Sequence, residues 1–174
     1  MKARSITKEG SRVTIDQVMK AWDKDQSSTK EEFIKLLNIK KYVPFVQKKM
    51  IAEKAMYTAH AIYDEKDEKK ARPIEYERDS AREYHANVIA ILSSYTDLQL
   101  AGSNTFDIYD RLQSVDALRV IFNAIGSDIE EWTRIWGMVR EDFMETHFSM
   151  QGMVKAQMLG MIADVAAQAA NMEP

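Results

Sequence analysis

The sequence predicts an all-α protein of six to eight helices in one irregular, bundle-like domain with a long C-terminal helical region. Three observations carry that reading. Glycine and proline number only six and three in 174 residues, too few turn formers for a sheet-rich fold of this length. Three capping boxes punctuate the chain, at Thr14/Gln17, Thr29/Glu32 and Ser127/Glu130, each pairing a hydroxyl with a Gln or Glu three residues on. Apolar residues also recur in steps of three and four, most regularly from Ile129 to Phe143.

Taken in order, Thr14 opens a helix whose apolar face is Ile15, Val18, Met19 and Trp22. Asp23 to Ser28 reads as a polar turn. Thr29 caps a second short helix with Phe33, Leu36 and Leu37 on its buried side. Asn38 to Val43 is expected to be extended, since the residue before a proline is pushed out of the helical region. Pro44 then suits the first position of a helix running to about Tyr63, with Phe45, Val46, Met50, Ile51 and Ala55 expected to face inward. Asp64 to Arg72, four acids and four bases, reads as an exposed connection or a frayed helix end.

A helix is expected from about Asp79 to Leu98, with Tyr84, Val88, Ile91, Leu92 and Tyr95 along one face. Ala101 to Asn104 breaks it. Thr105 starts a short helix with Phe106, Tyr109 and Leu112. Another, from about Val115, places Leu118, Ile121, Phe122 and Ile125 on one side and ends at Gly126. The strongest pattern follows: Ile129, Trp132, Trp136, Val139 and Phe143 form a heptad seam. Thr146 interrupts its phase, and a stripe restarts at Met158, Met161, Ile162, Val165 and Ala169, slipped by one position. Residues 128–170 are therefore one bent helix or two helices meeting between Phe148 and Gly152. The chain divides at about residue 125 into an N-terminal helical core (1–125) and a helical hairpin or bent helix (126–174) of the same domain.

Composition and motifs narrow the chemistry. The absence of cysteine excludes disulfide scaffolds, cysteine-ligated zinc and thiol catalysis. Asp23, Asp25, Ser27, Thr29 and Glu31 alternate like a calcium loop, but the twelfth position from Asp23 is Ile34 and the sixth is Ser28. An EF-hand needs Glu and Gly there, so a capped polar turn is the better reading. His60, His85 and His147 show no metal-ligand spacing, and each is expected at the surface or half-buried. Glu141, Asp142 and Glu145 beside His147 read as a solvated acidic face. No Gly-x-Ser-x-Gly, dinucleotide or phosphate-loop motif occurs. The expectation is a non-enzymatic chain with no catalytic residues, no cofactor and no bound metal.

Two further features bear on partners. The charge is graded along the chain: residues 1–56 carry 13 bases and 7 acids, residues 57–125 carry 8 and 12, and residues 126–174 carry 3 and 8. Such a dipolar subunit is suited to stacking head to tail or to presenting its basic end to a polyanion. No basic stripe with interleaved aromatics accompanies it, so duplex binding is not expected. Seven of eleven methionines lie between Met138 and Met172, among small residues such as Ala156, Gly160, Ala163 and Ala167. Flexible methionines fit adaptable surfaces, which makes Trp132, Trp136, Met153, Met158, Gly160 and Met161 the candidate partner-binding residues. The uncharged run Ala156–Ala163 is too short to span a bilayer, and the basic stretch Met1–Arg12 lacks the apolar segment of a signal peptide.

Two stretches resemble small helical proteins of tailed bacteriophages. One is Glu32 to Ala55, where Phe33-Ile34 and Leu36-Leu37 lead into Lys40-Lys41-Tyr42-Val43-Pro44 and then Lys48-Lys49. The other is Phe106-Asp107-Ile108-Tyr109-Asp110, followed by Ala124-Ile125-Gly126-Ser127-Asp128 and the Trp132 helix. The resemblance covers about half the chain and rests on structural rather than catalytic motifs. It implies a virion structural role, such as a head–tail connector, neck or capsid-associated subunit, in the virion or the host cytoplasm. The partners it implies are further copies of the chain or other virion subunits. The rival it leaves is an assembly factor or host-interacting module using the basic N-terminal half.

Overall fold

The computed structural model describes residues 12–22, 29–62, 75–150, 152, 154 and 157–162. Seven helices are delimited among them: α1 (Ile15–Trp22), α2 (Thr29–Leu36), α3 (Phe45–His60), α4 (Ser80–Tyr95), α5 (Thr105–Ser114), α6 (Ala117–Ile125) and α7 (Asp128–Phe148). A two-stranded antiparallel ribbon, β1 (Ala61–Ile62) with β2 (Glu75–Tyr76), joins α3 to α4, with Ala61 opposite Tyr76 and Ile62 opposite Glu75. The protein is all-α, as its sequence predicts. The ribbon was not foreseen: Ala61 turns extended and ends α3 three residues before Asp64.

Local chemistry sets three of the helix starts, those of α1, α4 and α5. Thr14 and Gln17 form a reciprocal capping box, the Thr14 N–H donating to Gln17 Oε1 at 2.9 Å and the Gln17 N–H to Thr14 Oγ1 at 3.4 Å. Asp79 caps α4 by accepting from the Ala81 and Arg82 N–H groups, both at 2.9 Å. Those bonds hold its carboxyl below the usual carboxylate range. Asn104 does the same for α5. Two expected caps differ. Pro44 is the cap of α3 rather than its first residue. Ser127 is itself helical in φ and ψ and its side chain makes no capping bond, because the next residue, Asp128, is drawn into a buried network instead. The turn at Asp23–Ser28, the side chain of Thr29 and the charge cluster at 64–72 lie outside the described residues.

Between α2 and α3 the chain is not simply extended. Asn38 has φ +47°, a left-handed turn that asparagine tolerates, and its side-chain amide donates to Asp97 Oδ2 at 2.8 Å. Gly126 closes α6 with φ +80° and ψ −143°, a conformation open to glycine and strained for other residues. Near the ends of α2 and α4, Val13 and Leu98 form a parallel bridge, and the Asp97 N–H donates to the Leu37 carbonyl. The N-terminal segment is thereby fastened to the α4–α5 link.

The core is built on α3, which packs chiefly against α4 and α7. From α7 come Trp132, Ile135, Trp136, Val139 and Phe143; from α4 come Val88, Ile91, Leu92 and Tyr95; from α5 and α6 come Ile108, Leu112, Leu118, Ile121 and Ile125. The heptad seam is thus an internal seam. Ile51 and Ala55 of α3 pack against this core as expected, but several residues expected to face inward do not. On α3 the buried side is Lys48, Ala52, Met56, Ala59 and His60, while Val46 and Met50 are 67% and 64% exposed and Phe45 is also exposed. Tyr84 and Phe106 likewise face outward, Phe106 stacking on His85 with centroids 3.8 Å apart.

Ser149 ends α7 in an extended conformation, and helical backbone returns at Met150. The chain therefore breaks inside the Phe148–Gly152 interval. The break is specified locally: Ser149 Oγ accepts the Gly152 N–H at 3.0 Å and donates to the Glu145 carbonyl, capping the incoming helix while closing the outgoing one. A Cβ on Gly152 would collide with the carbonyl oxygens of Glu145 and Thr146, so glycine lets the two segments approach.

Candidate functional site

Among the described residues, two polar clusters sit inside the apolar frame. In the first, Lys48 of α3 is fully buried and its Nζ lies 2.7 Å from Asp128 Oδ1, with Glu131 as a second partner. Asp128 Oδ2 accepts the Tyr95 hydroxyl at 2.7 Å and the Val43 N–H at 3.1 Å. One carboxylate therefore ties the α3 entry, α3, α4 and the start of α7, where a negative charge also suits the helix dipole. Burial pulls the Lys48 ammonium toward neutrality, but its bonds to Asp128 and Glu131 outweigh that and raise its pKa. Burial acts upward on Asp128, and the bonds from Lys48, Tyr95 and the Val43 N–H hold its pKa below 3.8. Burial, reinforced by Asp128, pushes the Tyr95 hydroxyl well up. These are ties between elements, with every charge matched.

The second cluster lies at the other end of α3. His60 is fully buried rather than at the surface or half-buried as expected, its ring stacked on Phe143 and edged by Phe148. Nδ1 sits 2.8 Å from the Glu77 carbonyl, which can only accept, so this nitrogen carries the proton. Nε2 faces Glu83 Oε2 at 3.7 Å, and Glu83 Oε1 takes the Arg140 Nε–H at 2.5 Å. His60 is closed over by aromatic rings, and the His60–Glu83–Arg140 chain joins α3, α4 and α7. His147 and His85 are half-buried, and burial lowers the pKa of His147. No cluster of three potential metal ligands occurs among the described residues.

Among the described residues, two stretches of chain expose several apolar side chains close together in sequence. One is the outer side of α3 and its entry, where Tyr42, Phe45, Val46 and Met50 are exposed. This strip runs toward a groove of about 360 Å³ between Glu53 and Tyr57 of α3 and Asp142, Thr146 and His147 of α7. The other is the C-terminal helical stretch, where residues 157–162 are all exposed, including Met158, Leu159, Met161 and Ile162 at 57–64%, with Met150 and Val154 before them.

Of the candidate partner-binding residues, Trp132 and Trp136 are core, 1% and 7% exposed. Trp132 packs edge-on against Tyr95 and donates its indole N–H to Asn87, so neither ring presents a face to a partner. Met158, Gly160 and Met161 do lie together on the open stretch. Met153 is outside the described residues. The exposed strip on α3 was missed because Val46 and Met50 keep the i, i+4 spacing of a core face, while Lys48, a surface residue by its chemistry, takes an inward place. No helix among the described residues is long and apolar enough to cross a membrane. No family model, curated protein or solved structure matches the chain.

Proposed function

We propose that this chain is a non-enzymatic structural subunit, of the virion connector, neck or capsid-associated kind that its phage-like stretches imply, and that it works by packing helices against protein partners. The observation that supports this reading is the uncovered C-terminal stretch. A helix with four large apolar side chains in six residues, all exposed, belongs to a surface that is covered in use, since a contiguous apolar patch of several hundred square ångströms is unusual on a free monomer. The internal clusters fit the same reading: each holds elements in register, and a fixed frame is what a docking helix needs behind it.

Quantitative mass spectrometry of purified particles tests the proposal. A fixed copy number of the wild-type chain per particle is expected. Gly160→Glu should lower that number sharply while far-UV helicity stays unchanged, because a Cβ at Gly160 points into open space. Complete absence of the wild-type chain from particles overturns the structural role.

A further inference from the structure

We propose that His60 is the proton-binding element of a clamp: one proton taken up at Nε2 closes the ring onto Glu83 and tightens the ribbon and the end of α7 against α4. The ring is fully buried, and both of its nitrogens face groups that accept. Nδ1 lies 2.8 Å from the Glu77 carbonyl, and Nε2 lies 3.7 Å from Glu83 Oε2. A neutral imidazole has one N–H, whereas an imidazolium has two. The neutral ring gives its N–H to Glu77, which turns the Nε2 lone pair toward a carboxylate oxygen. Both Nε2 of His60 and Oε2 of Glu83 are buried without a hydrogen-bond partner. The other neutral tautomer serves Glu83 but sets the Nδ1 lone pair against the Glu77 carbonyl, with the Asp79 N–H no closer than 3.5 Å. The protonated ring satisfies both sides, and unpaired buried polar atoms are costly.

Among the described residues, the charges around the ring favour the proton. Glu83 of α4 supplies the facing carboxylate. Arg140 of α7 opposes the proton, but it is bonded to Glu83 Oε1 at 2.5 Å and is partly open to solvent. Ahead of α4, the Asp79 carboxylate is held ionised by its capping bonds and lies 3.2 Å from Arg82, which the Glu77 carboxylate also approaches at 3.9 Å. His147 of α7 reaches the same aromatic group through Phe143, and burial holds it toward its neutral form. Burial works against a charge on His60. The carboxylate, the second acceptor and the face of Phe143, stacked at 5.3 Å between centroids, work for it. His60 also fastens the ribbon through its backbone, its carbonyl accepting the Glu77 N–H at 2.8 Å. Joining Nε2 to Glu83, which Arg140 ties to α7, completes one chain from the ribbon through α4 to α7. The clamp is complete while the ring is protonated and is lost as rising pH removes the proton. Histidine is the side chain suited to such a change near neutral pH.

A titration of the full chain from pH 5.5 to 8.5 tests this in two ways. Ring nitrogen chemical shifts of His60 report its charge, and hydrogen exchange of the Glu77 N–H reports the clamp. Nε2 should be protonated at pH 5.5 and bare at pH 8.5, with Nδ1 protonated throughout. The Glu77 protection factor should fall about fivefold or more over the same rise. Both changes should persist in a His147→Gln chain, where the neighbouring histidine contributes nothing. Two variants separate the clamp from ordinary packing. Glu83→Gln keeps the shape, removes the facing charge and should move the His60 midpoint about one pH unit or more to acid, a roughly tenfold weaker hold on the proton. Arg140→Gln removes the opposing charge and should move the midpoint to alkali. A ring that keeps one charge state from pH 5.5 to 8.5 overturns the proposal, and so does a ring that titrates while Glu77 protection stays constant. A midpoint indifferent to Glu83→Gln, or moved the same way by both variants, overturns it as well.

Discussion

Two helical segments on either side of Ser149 are built from similar apolar material and meet opposite fates. In α7, Trp132, Ile135, Trp136, Val139 and Phe143 are all buried against α3, α4 and their neighbours. Ten residues after α7 ends, Met158, Leu159, Met161 and Ile162 are all exposed. The difference is not in hydrophobicity but in what else each segment brings. At its start α7 carries Asp128, which meets Lys48, Tyr95 and the Val43 N–H, and further along it carries Arg140, which meets Glu83. These contacts fix which side of α7 faces in. Residues 157–162 hold no charge and no polar side chain beyond Gln157, so nothing comparable directs that stripe onto its own core. Polar anchors choose the address; apolar area supplies the driving force once the address is set.

The contrast breaks most visibly in the core. Asp128→Ala leaves a buried ammonium without its closest partner, which costs about 3–5 kcal/mol for a buried pair broken on one side. Urea unfolding should show that loss. Lys48→Met combined with Asp128→Leu should recover much of it, since removing both charges removes the desolvation cost as well. Trp132→Ala should fall in the same range, about 3–5 kcal/mol, from lost burial and the cavity left behind. An Asp128→Ala variant as stable as wild type would mean that packing alone orients α7.

At the joint between the segments, Gly152→Ala must push the Glu145 and Thr146 carbonyls aside. A loss of about 1–3 kcal/mol is expected, as for other overpacked sites, with a changed angle between α7 and the following helix measurable by spin-label distances. Unchanged distances and stability would show that the joint has slack.

The pH dependence sharpens the account of the anchor. Asp128 is more acidic in the fold than its ordinary 3.8, so its contribution is complete above that value and is lost as pH falls through the lower folded pKa. Lys48 is more basic than its ordinary 10.5, so its contribution is complete below that value and is lost as pH rises through the higher folded pKa. Melting temperature should therefore fall at both extremes relative to the Lys48→Met/Asp128→Leu variant. His147 adds a smaller effect: burial lowers its pKa from 6.5, so stability declines as pH drops below 6.5, and His147→Gln should remove that slope.

The smallest effect belongs to the open stretch. Met158→Ala and Met161→Ala should change the stability of the monomer by no more than about 0.5 kcal/mol, as for surface sites, when unfolding is followed at low protein concentration. Losses above 2 kcal/mol would place these methionines in the chain's own core and erase the contrast.

Leaving open whether residues 128–170 form one bent helix or two, the sequence by itself determined the helical class, the box at Thr14 and Gln17 and the heptad seam of α7. All of these depend on neighbours within about two turns, through side-chain hydrogen bonds to nearby backbone and through the 3.6-residue period. Tertiary structure alone decided which side of α3 is inside. Val46 and Met50 have the spacing of core residues and Lys48 the chemistry of a surface one, yet Lys48 is buried because Asp128, 80 positions away, receives it. The same holds for His60, matched with Glu77 and Glu83 from beyond the ribbon. Nor does periodicity say whether a stripe at Met158 to Ile162 is covered by its own chain. Burial of an apolar stripe requires a facing surface, and whether one is present depends on the distant contacts that fix where the helix lies.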